Sequence, residues 1–227
     1  MGSSGGLSHD VAEKIANYNT FFSEQDADIL TLQEYTQYID SNQQYASETA
    51  IFDNHFDYSS YTENELIIQS KYNFTNSAFS YLHTSGDHPS KCVYGTTTIN
   101  GISFTLVTAV LHYQASLEEK LRALNKLVNV ILPSSGNVII GMDTNVVSKE
   151  EADELKSYLA DNGINSANWT EFGYLETYNL NWSGYRCIDN IFFRGNIEID
   201  GFTVPYDVYS DLSSDHYPVI ANLSICS

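Results

Sequence analysis

The sequence predicts a mixed α/β domain in which sheets pack face to face with helices on the outside. Three observations carry that expectation. Apolar runs of strand length outnumber the segments with a helical period, and the two kinds mix irregularly instead of alternating as a doubly wound fold would. The length of 227 residues suits one large domain better than two. A hydrophobic fraction of 42% is that of an ordinary globular protein. The leading Met1-Gly-Ser-Ser-Gly-Gly6 reads as an added leader or linker, so the single domain is expected over residues 7–227.

The elements follow in order. Asp10 to about Glu24 reads as a helix, because Val11, Ile15, Tyr18 and Phe22 recur at helical spacing behind a cap at Ser8 or Asp10. Asp28-Ile-Leu-Thr-Leu-Gln33 is a short apolar run, hence a buried strand ending at Glu34. Glu65 to Ser70 is a second strand, and Phe79 to Leu82 and Cys92 to Ile99 read as parts of a meander. Asn100-Gly101 is a strong hairpin signal leading into a strand from Ile102 to Leu111. Ser116 to about Leu132 is an amphipathic helix with a stripe of Leu117, Leu121, Leu124, Leu127, Val128 and Ile131. Ser116 and Glu119 are spaced as a capping box. Asn137 to Gly141 is a buried strand, and Lys149 to Leu159 is a helix ended near Asn162-Gly163. Cys187 to Phe193, Ile197 to Thr203 and Tyr217 to Leu223 are the closing strands.

Charge and composition narrow the function classes. Ten basic against 29 acidic side chains give a net charge of −19, which disfavours broad electrostatic capture of nucleic acid or anionic membranes. Bound divalent cations can reverse the local field, so a polyanionic substrate stays open. No apolar run reaches the roughly 18 residues of a membrane span, so no transmembrane segment is expected. Cys92, Cys187 and Cys226 match no zinc spacing and read as small buried hydrophobes, with one disulfide as the alternative. Asn73, Asn168, Asn181 and Asn222 open glycosylation sequons, and these tilt the expectation slightly toward a secreted or extracellular setting over the cytoplasm. No signal peptide follows the leader, and protein partners are not legible.

Polar groups at the ends of buried strands are the informative positions, since a rigid scaffold there can hold a reactive side chain at a cleft. Gln33-Glu34 ends the first strand, and a carboxylate emerging there is a natural ligand for Mg²⁺ or Mn²⁺. His112 ends the strand that starts at Ile102. Gly141-Met-Asp143-Thr-Asn145 sets an acid and an amide two residues apart, able to face one ligand or to close an Asx-type turn. Ser214-Asp215-His216-Tyr-Pro218 supplies a carboxylate and an imidazole together before the last strand. Asp189 lies inside an apolar strand, where a carboxylate needs a partner, and a histidine is the obvious one.

Together these strings resemble the endonuclease/exonuclease/phosphatase superfamily, the family of DNase I. The resemblance runs from about Asp10 to Ile225, and Leu32-Gln-Glu34 and Ser214-Asp-His-Tyr-Pro218 are its most specific parts. It implies a four-layer sandwich: two mixed β-sheets face to face with helices on both outer sides. It further implies that Glu34 and Asp215 bind a metal, Mg²⁺ with Mn²⁺ or Ca²⁺ as alternatives. His216 would be the acid/base histidine oriented by Asp189. Asp143 and Asn145 would orient water and hold the phosphate, and His112 would contact the scissile phosphate. Lys91 and Tyr61 are weaker phosphate-side or metal-side positions.

One departure stands out. Members of this family usually begin with a strand ending in a metal-binding asparagine, and no matching strand or asparagine precedes the helix at Asp10. Either the chain starts after that strand, another segment replaces it, or it has been lost. The expected activity is that of a metal-dependent phosphodiester hydrolase, first of all a DNase I-like nuclease acting on nucleic acid. A phospholipid, sphingomyelin-type or small phosphoester hydrolase is the alternative. A binding or structural module with an impaired metal site is the third reading. The inositol phosphatase string before the closing strands is not matched by Arg186-Cys-Ile-Asp189.

Overall fold

The computed structural model describes residues 11–33, 55–60, 66–84, 89–170, 174–178, 185–208 and 215–226. Helix α1 spans Val11–Gln25, and strands follow at Ile29–Leu32 (β1), Tyr58–Ser59 (β2), Ile67–Ser70 (β3), Phe74–His83 (β4), Ser90–Ile99 (β5) and Ile102–Val110 (β6). Helix α2 covers Leu117–Lys126 and continues as a π-helical turn over Leu127–Ile131. Strand β7 is Asn137–Asp143, helix α3 is Lys149–Asp161, and β8 is Asn165–Ser166. The last strands are Asp189–Arg194 (β9), Ile197–Thr203 (β10) and Ile220–Ile225 (β11).

Local chemistry explains these boundaries. Ser116 accepts from the Glu119 amide while the Glu119 side chain accepts from the Ser116 amide, so the expected capping box starts α2. Ser148 starts α3 in the same way by accepting from Glu151. Asn100 and Gly101 both hold positive φ, 52° and 82°, as the tight turn between β5 and β6 requires. The meander is longer than its apolar runs suggested: β4 begins at Phe74, where Phe74 and Thr75 pair with Thr97 and Thr96 of β5.

Six strands form one sheet in the order β4-β5-β6-β7-β9-β8. The β6–β7 pair is parallel, joined by the α2 crossover, and the other neighbours are antiparallel. A second layer holds β1-β3-β2 and β10-β11. Three apolar clusters separate four layers. Leu124, Leu127, Leu155 and Leu159 of the helices pack on Val107, Ile140 and Phe192 of the large sheet. Phe104, Leu106 and Phe193 from its other face meet Ile68, Ile29 and Leu223 of the second layer. Tyr18, Phe21 and Phe22 of α1 then cover Ile67, Leu30 and Ile220 from outside. This is the expected sandwich of two sheets face to face with helices on both outer sides. No helix among the described residues is long and apolar enough to cross a membrane.

Cys92 and Cys187 are buried and Cys226 is half-buried, and all three are free thiols. The packing reading therefore holds for the first two, and none takes part in a disulfide.

Candidate active site

The register of the large sheet assembles a row of residues at one end. Lys91 lies opposite Val110, Val110 opposite Asp143, and Asp143 opposite Asp189. Strand alternation decides which of these face the space between the sheets. Val138, Ile140 and Met142 belong to the helix-side core, so Asp143 takes the opposite face. Ile191 and Phe193 are on the inter-sheet side, so Asp189 is too. Both carboxylates are buried, and both line a cavity of about 190 Å³ together with Gln33 and His216.

His216 Nδ1 lies 2.8 Å from Asp189 Oδ2, the pairing expected from the sequence. Burial alone would lower the imidazole pKa. The Asp189 charge and hydrogen bond, followed by Asp143 and Asp215, outweigh it and raise the pKa to about 10. This acidic setting favours the imidazolium form. A cation seated among the same carboxylates would oppose that shift.

Asp143 ends β7, and Asn145 follows at φ 46°. The Asn145 amide N–H donates to Asp143 Oδ1 at 2.9 Å, so the Asx-type turn is present. Asn145 Nδ2 donates to Asp143 Oδ2 at 2.9 Å and to the Leu111 carbonyl at 3.0 Å. The side chain thus fixes Asp143 and ties it to the end of β6. His112 is the next residue after Leu111; its backbone N–H donates to Ser90 Oγ at 3.0 Å, and its ring lies 4.7 Å from that of Tyr113.

Asp143, Asp189 and His216 each offer a ligand atom within 4.8 Å of the others. We read this trio as a hydrogen-bonded dyad beside a carboxylate, because Asp189 and His216 already satisfy one another and Mg²⁺ prefers oxygen donors. Asp215 fits a cation better: its Oδ1 is buried and has no hydrogen-bond partner among the described residues. Glu34 and Tyr61 lie outside the described residues. The residue before Glu34 is firmly placed: Gln33 Nε2 donates to Thr108 Oγ1 at 2.8 Å, and Thr108 Oγ1 donates to the Leu32 carbonyl at 3.1 Å, joining the two sheets.

Four supporting residues escaped sequence reasoning. Thr177 is fully buried, and its Oγ1 accepts from the Ile188 and Asp189 amides at 3.1 and 2.9 Å. Its carbonyl accepts from the Tyr217 amide at 2.7 Å, so one threonine holds both halves of the dyad. Asn168 Nδ2 donates to the carbonyls of Leu175 and Asp189, and Asn168 is 2% exposed. This sequon is therefore buried in the folded chain, whereas Asn73 and Asn222 are exposed. Asn190 Oδ1 accepts from the Asn168 amide. Lys120, fully buried, lies 3.1 Å from Glu151 and donates to the Asn145 carbonyl. For the first three a polar residue beside an apolar run was the only available signal, and it does not name a partner; Lys120, inside its helix, gave none.

No family model matches the sequence, and no curated protein matches it. Solved structures do. An endonuclease/exonuclease/phosphatase from Bacteroides vulgatus superposes with a TM-score of 0.72 at 15% identity, over 95% of this chain and 92% of that one. D. rerio TDP2, complexed with a single-strand DNA product, gives 0.67 at 18% identity over 96% and 94%. The Bacteroides thetaiotaomicron mannosyl-6-phosphatase gives 0.66 at 12% identity over 95% and 92%. Identities this low speak for architecture alone, and the architecture of this chain is that of the endonuclease/exonuclease/phosphatase superfamily.

Proposed function

We propose that this chain hydrolyses phosphoesters with the help of a divalent cation, Mg²⁺ in the first place, and that its substrate is a phosphodiester of nucleic acid. The observation that carries the reading is the Asp189–His216 pair set beside Asp143 at the wall of one cleft. Glu34 and Asp215 would hold the cation; the orphaned Asp215 oxygen is a hard, anionic donor of the kind Mg²⁺ takes. A cation there supplies positive charge to the non-bridging oxygens.

The protein's own groups do the rest. Asp143, fixed by Asn145, accepts a hydrogen bond from the attacking water and aligns it. His216 is oriented through Nδ1 by Asp189, which leaves Nε2 as the proton-carrying atom for the leaving oxygen. The imidazolium favoured by its acidic neighbours starts in the donor form. His112 and Lys91, at the same end of the sheet, add positive or hydrogen-bonding groups for the phosphate. Asn145 already donates both Nδ2 hydrogens, so its main part is to position Asp143, and a phosphate contact would exchange one of those bonds.

A second reading is a small phosphomonoester, favoured by the net charge of −19, which repels a long polyanion more than a single phosphate group. The similarity to a mannosyl-6-phosphatase supports keeping it in view. The test is hydrolysis of plasmid DNA, bis(p-nitrophenyl) phosphate and p-nitrophenyl phosphate, each with Mg²⁺, Mn²⁺ or EDTA, beside His216→Ala. Metal-dependent cleavage of the diesters, lost in the variant, is expected. Turnover of the monoester alone would select the second reading. Turnover untouched by His216→Ala would remove the dyad from the chemistry.

A further inference from the structure

The row of residues that carries Asp143 and Asp189 does not stop at Lys91. Lys91 of β5 stands opposite Tyr81 of β4, so Tyr81, Lys91, Val110, Asp143 and Asp189 follow one another across the sheet. They also share a face. Lys91 pairs with Val110, and Tyr81 lies two residues from Phe79; Val110 and Phe79 both belong to the core between the sheets. Their neighbours Cys92 and Leu82 belong to the helix-side core. Alternation therefore turns Lys91 and Tyr81 the same way as the two carboxylates of the site. β4 is the outermost strand of the sheet, and Tyr81 is 41% exposed there.

Scattered exposed aromatic residues are ordinary, so the setting of this one is what matters. Its ring stands edge-to-face on Phe79, with centroids 4.9 Å apart and planes at 85°, and Phe79 is itself packed on the core between the sheets. The ring is held from within while part of its surface stays open. Two of the ten basic side chains of the chain are placed at this residue: Lys91 stands opposite it, and Lys126 donates to its carbonyl. In a chain of net charge −19 that is a local concentration of positive charge on the way to the site. Adjacent strands lie about 4.8 Å apart, which puts Tyr81 roughly 14 Å from Asp143 along the row. A single phosphoester group beside Asp143 does not span that distance, whereas the next units of a polymer do.

We propose that Tyr81 is a stacking platform for an unpaired nucleobase roughly one or two units away from the phosphate set beside Asp143, with Lys91 meeting the phosphate between them. The inference rests on the phosphodiester reading above and narrows it to a single strand, because a base inside a duplex has both faces covered by its neighbours. Every base has a π-face, so the platform selects a single strand without selecting a sequence. Stacking on one fixed ring also lets an acidic chain hold a polyanion with few cations of its own.

The test measures binding with Mg²⁺ in a His216→Ala background, with the oligonucleotide checked for integrity on a gel. Hexamers of thymidylate and of uridylate, each carrying one 2-aminopurine, are titrated, and quenching of that base reports stacking. Tyr81→Leu keeps an apolar side chain against Phe79 and removes the ring; it is expected to weaken binding about 5- to 100-fold and to abolish the quenching. Tyr81→Phe is expected to bind as the parent does. Lys91→Gln should make the slope of log K against log salt shallower by about 0.7. Equal ring-dependent losses with both hexamers support recognition of the base alone, and a loss with one of them assigns the sugar as well. Parent-like binding by Tyr81→Leu would overturn the platform. So would a loss in Tyr81→Phe as large as that in Tyr81→Leu, a duplex that competes as well as the single strand, or no binding of either hexamer. Hydrolysis is read separately on bis(p-nitrophenyl) phosphate with His216 intact. Turnover without ring-dependent binding removes the platform alone, and ring-dependent binding without turnover removes the hydrolysis alone.

Discussion

Replacing Lys120 by Met tests how the site loop is held. The ammonium is fully buried between α2 and α3, 3.1 Å from Glu151 Oε1, and it donates to the Asn145 carbonyl at 2.5 Å. Burial holds its pKa below the usual value despite the attraction of Glu151. The second Glu151 oxygen accepts from the Val147 amide at 2.7 Å. Lys120→Met keeps most of the volume but leaves a buried carboxylate without its counter-charge, a loss of about 3–5 kcal/mol. For a domain of this size that lowers Tm by about 6–20 °C. Urea unfolding followed by circular dichroism and by fluorescence, with the fully buried Trp169 as a core reporter, gives the shift in midpoint at constant slope. Removing both charges in Lys120→Met/Glu151→Leu is expected to restore most of the stability, since an apolar pair can replace a buried ion pair. The double variant still lacks the donor to the Asn145 carbonyl, so its turnover stays lower by about 10- to 100-fold. A single variant within about 1 kcal/mol of the parent, or a double variant no more stable than the single, would refute this reasoning.

Three further outcomes follow from the geometry. Asp189→Asn is expected to reduce kcat by about 10²- to 10⁴-fold, and combining it with His216→Ala should slow the enzyme no further than His216→Ala alone, because the pair acts as a unit; additive losses in steady-state kinetics would contradict that. Thr177→Val deprives the Ile188 and Asp189 amides of their acceptor, costing about 1–3 kcal/mol and lowering kcat with little change in KM, whereas Thr177→Ser should behave as the parent. Gly141→Ala would put a methyl carbon 1.9 Å from Thr31 Oγ1, and a destabilisation of about 1–3 kcal/mol is expected from urea midpoints; an unchanged midpoint would show that β1 gives way freely.

What the sequence disclosed depended on how local the cause was. The strand read at Asn137 to Gly141, which continues to Asp143, the Ser116–Glu119 cap and the Asn100-Gly101 turn each rest on neighbours within a few residues, and each is present. The Asp189–His216 contact spans 27 positions, yet it was legible because a carboxylate inside an apolar strand demands a partner. Lys120 was not legible. It lies between apolar stripe positions of its helix, and nothing nearby in sequence signals Glu151, 31 residues on. Asn168 was read as a glycan acceptor because its triplet is local, while its actual partners, Leu175 and Asp189, are set by the fold. Thr177 has no motif at all; its importance comes from where the chain passes between β9 and the segment that carries His216.

The dyad is shared between two bodies of unequal anchorage. Asp189 belongs to a six-stranded sheet packed on both faces, whereas His216 lies on the approach to β11, half of a hairpin whose apolar residues are only partly covered. Besides Asp189, an isolated bridge to Tyr178 and the Tyr217–Thr177 bond hold it there. Native chains do not melt everywhere at once, and the least protected unit opens first. Under the proposed function, acid–base competence is then a gauge of hairpin seating: on warming, turnover should fade while the core signal of Trp169 is still flat, and whatever seats the hairpin should move the working range of that activity upward without touching a single reacting atom.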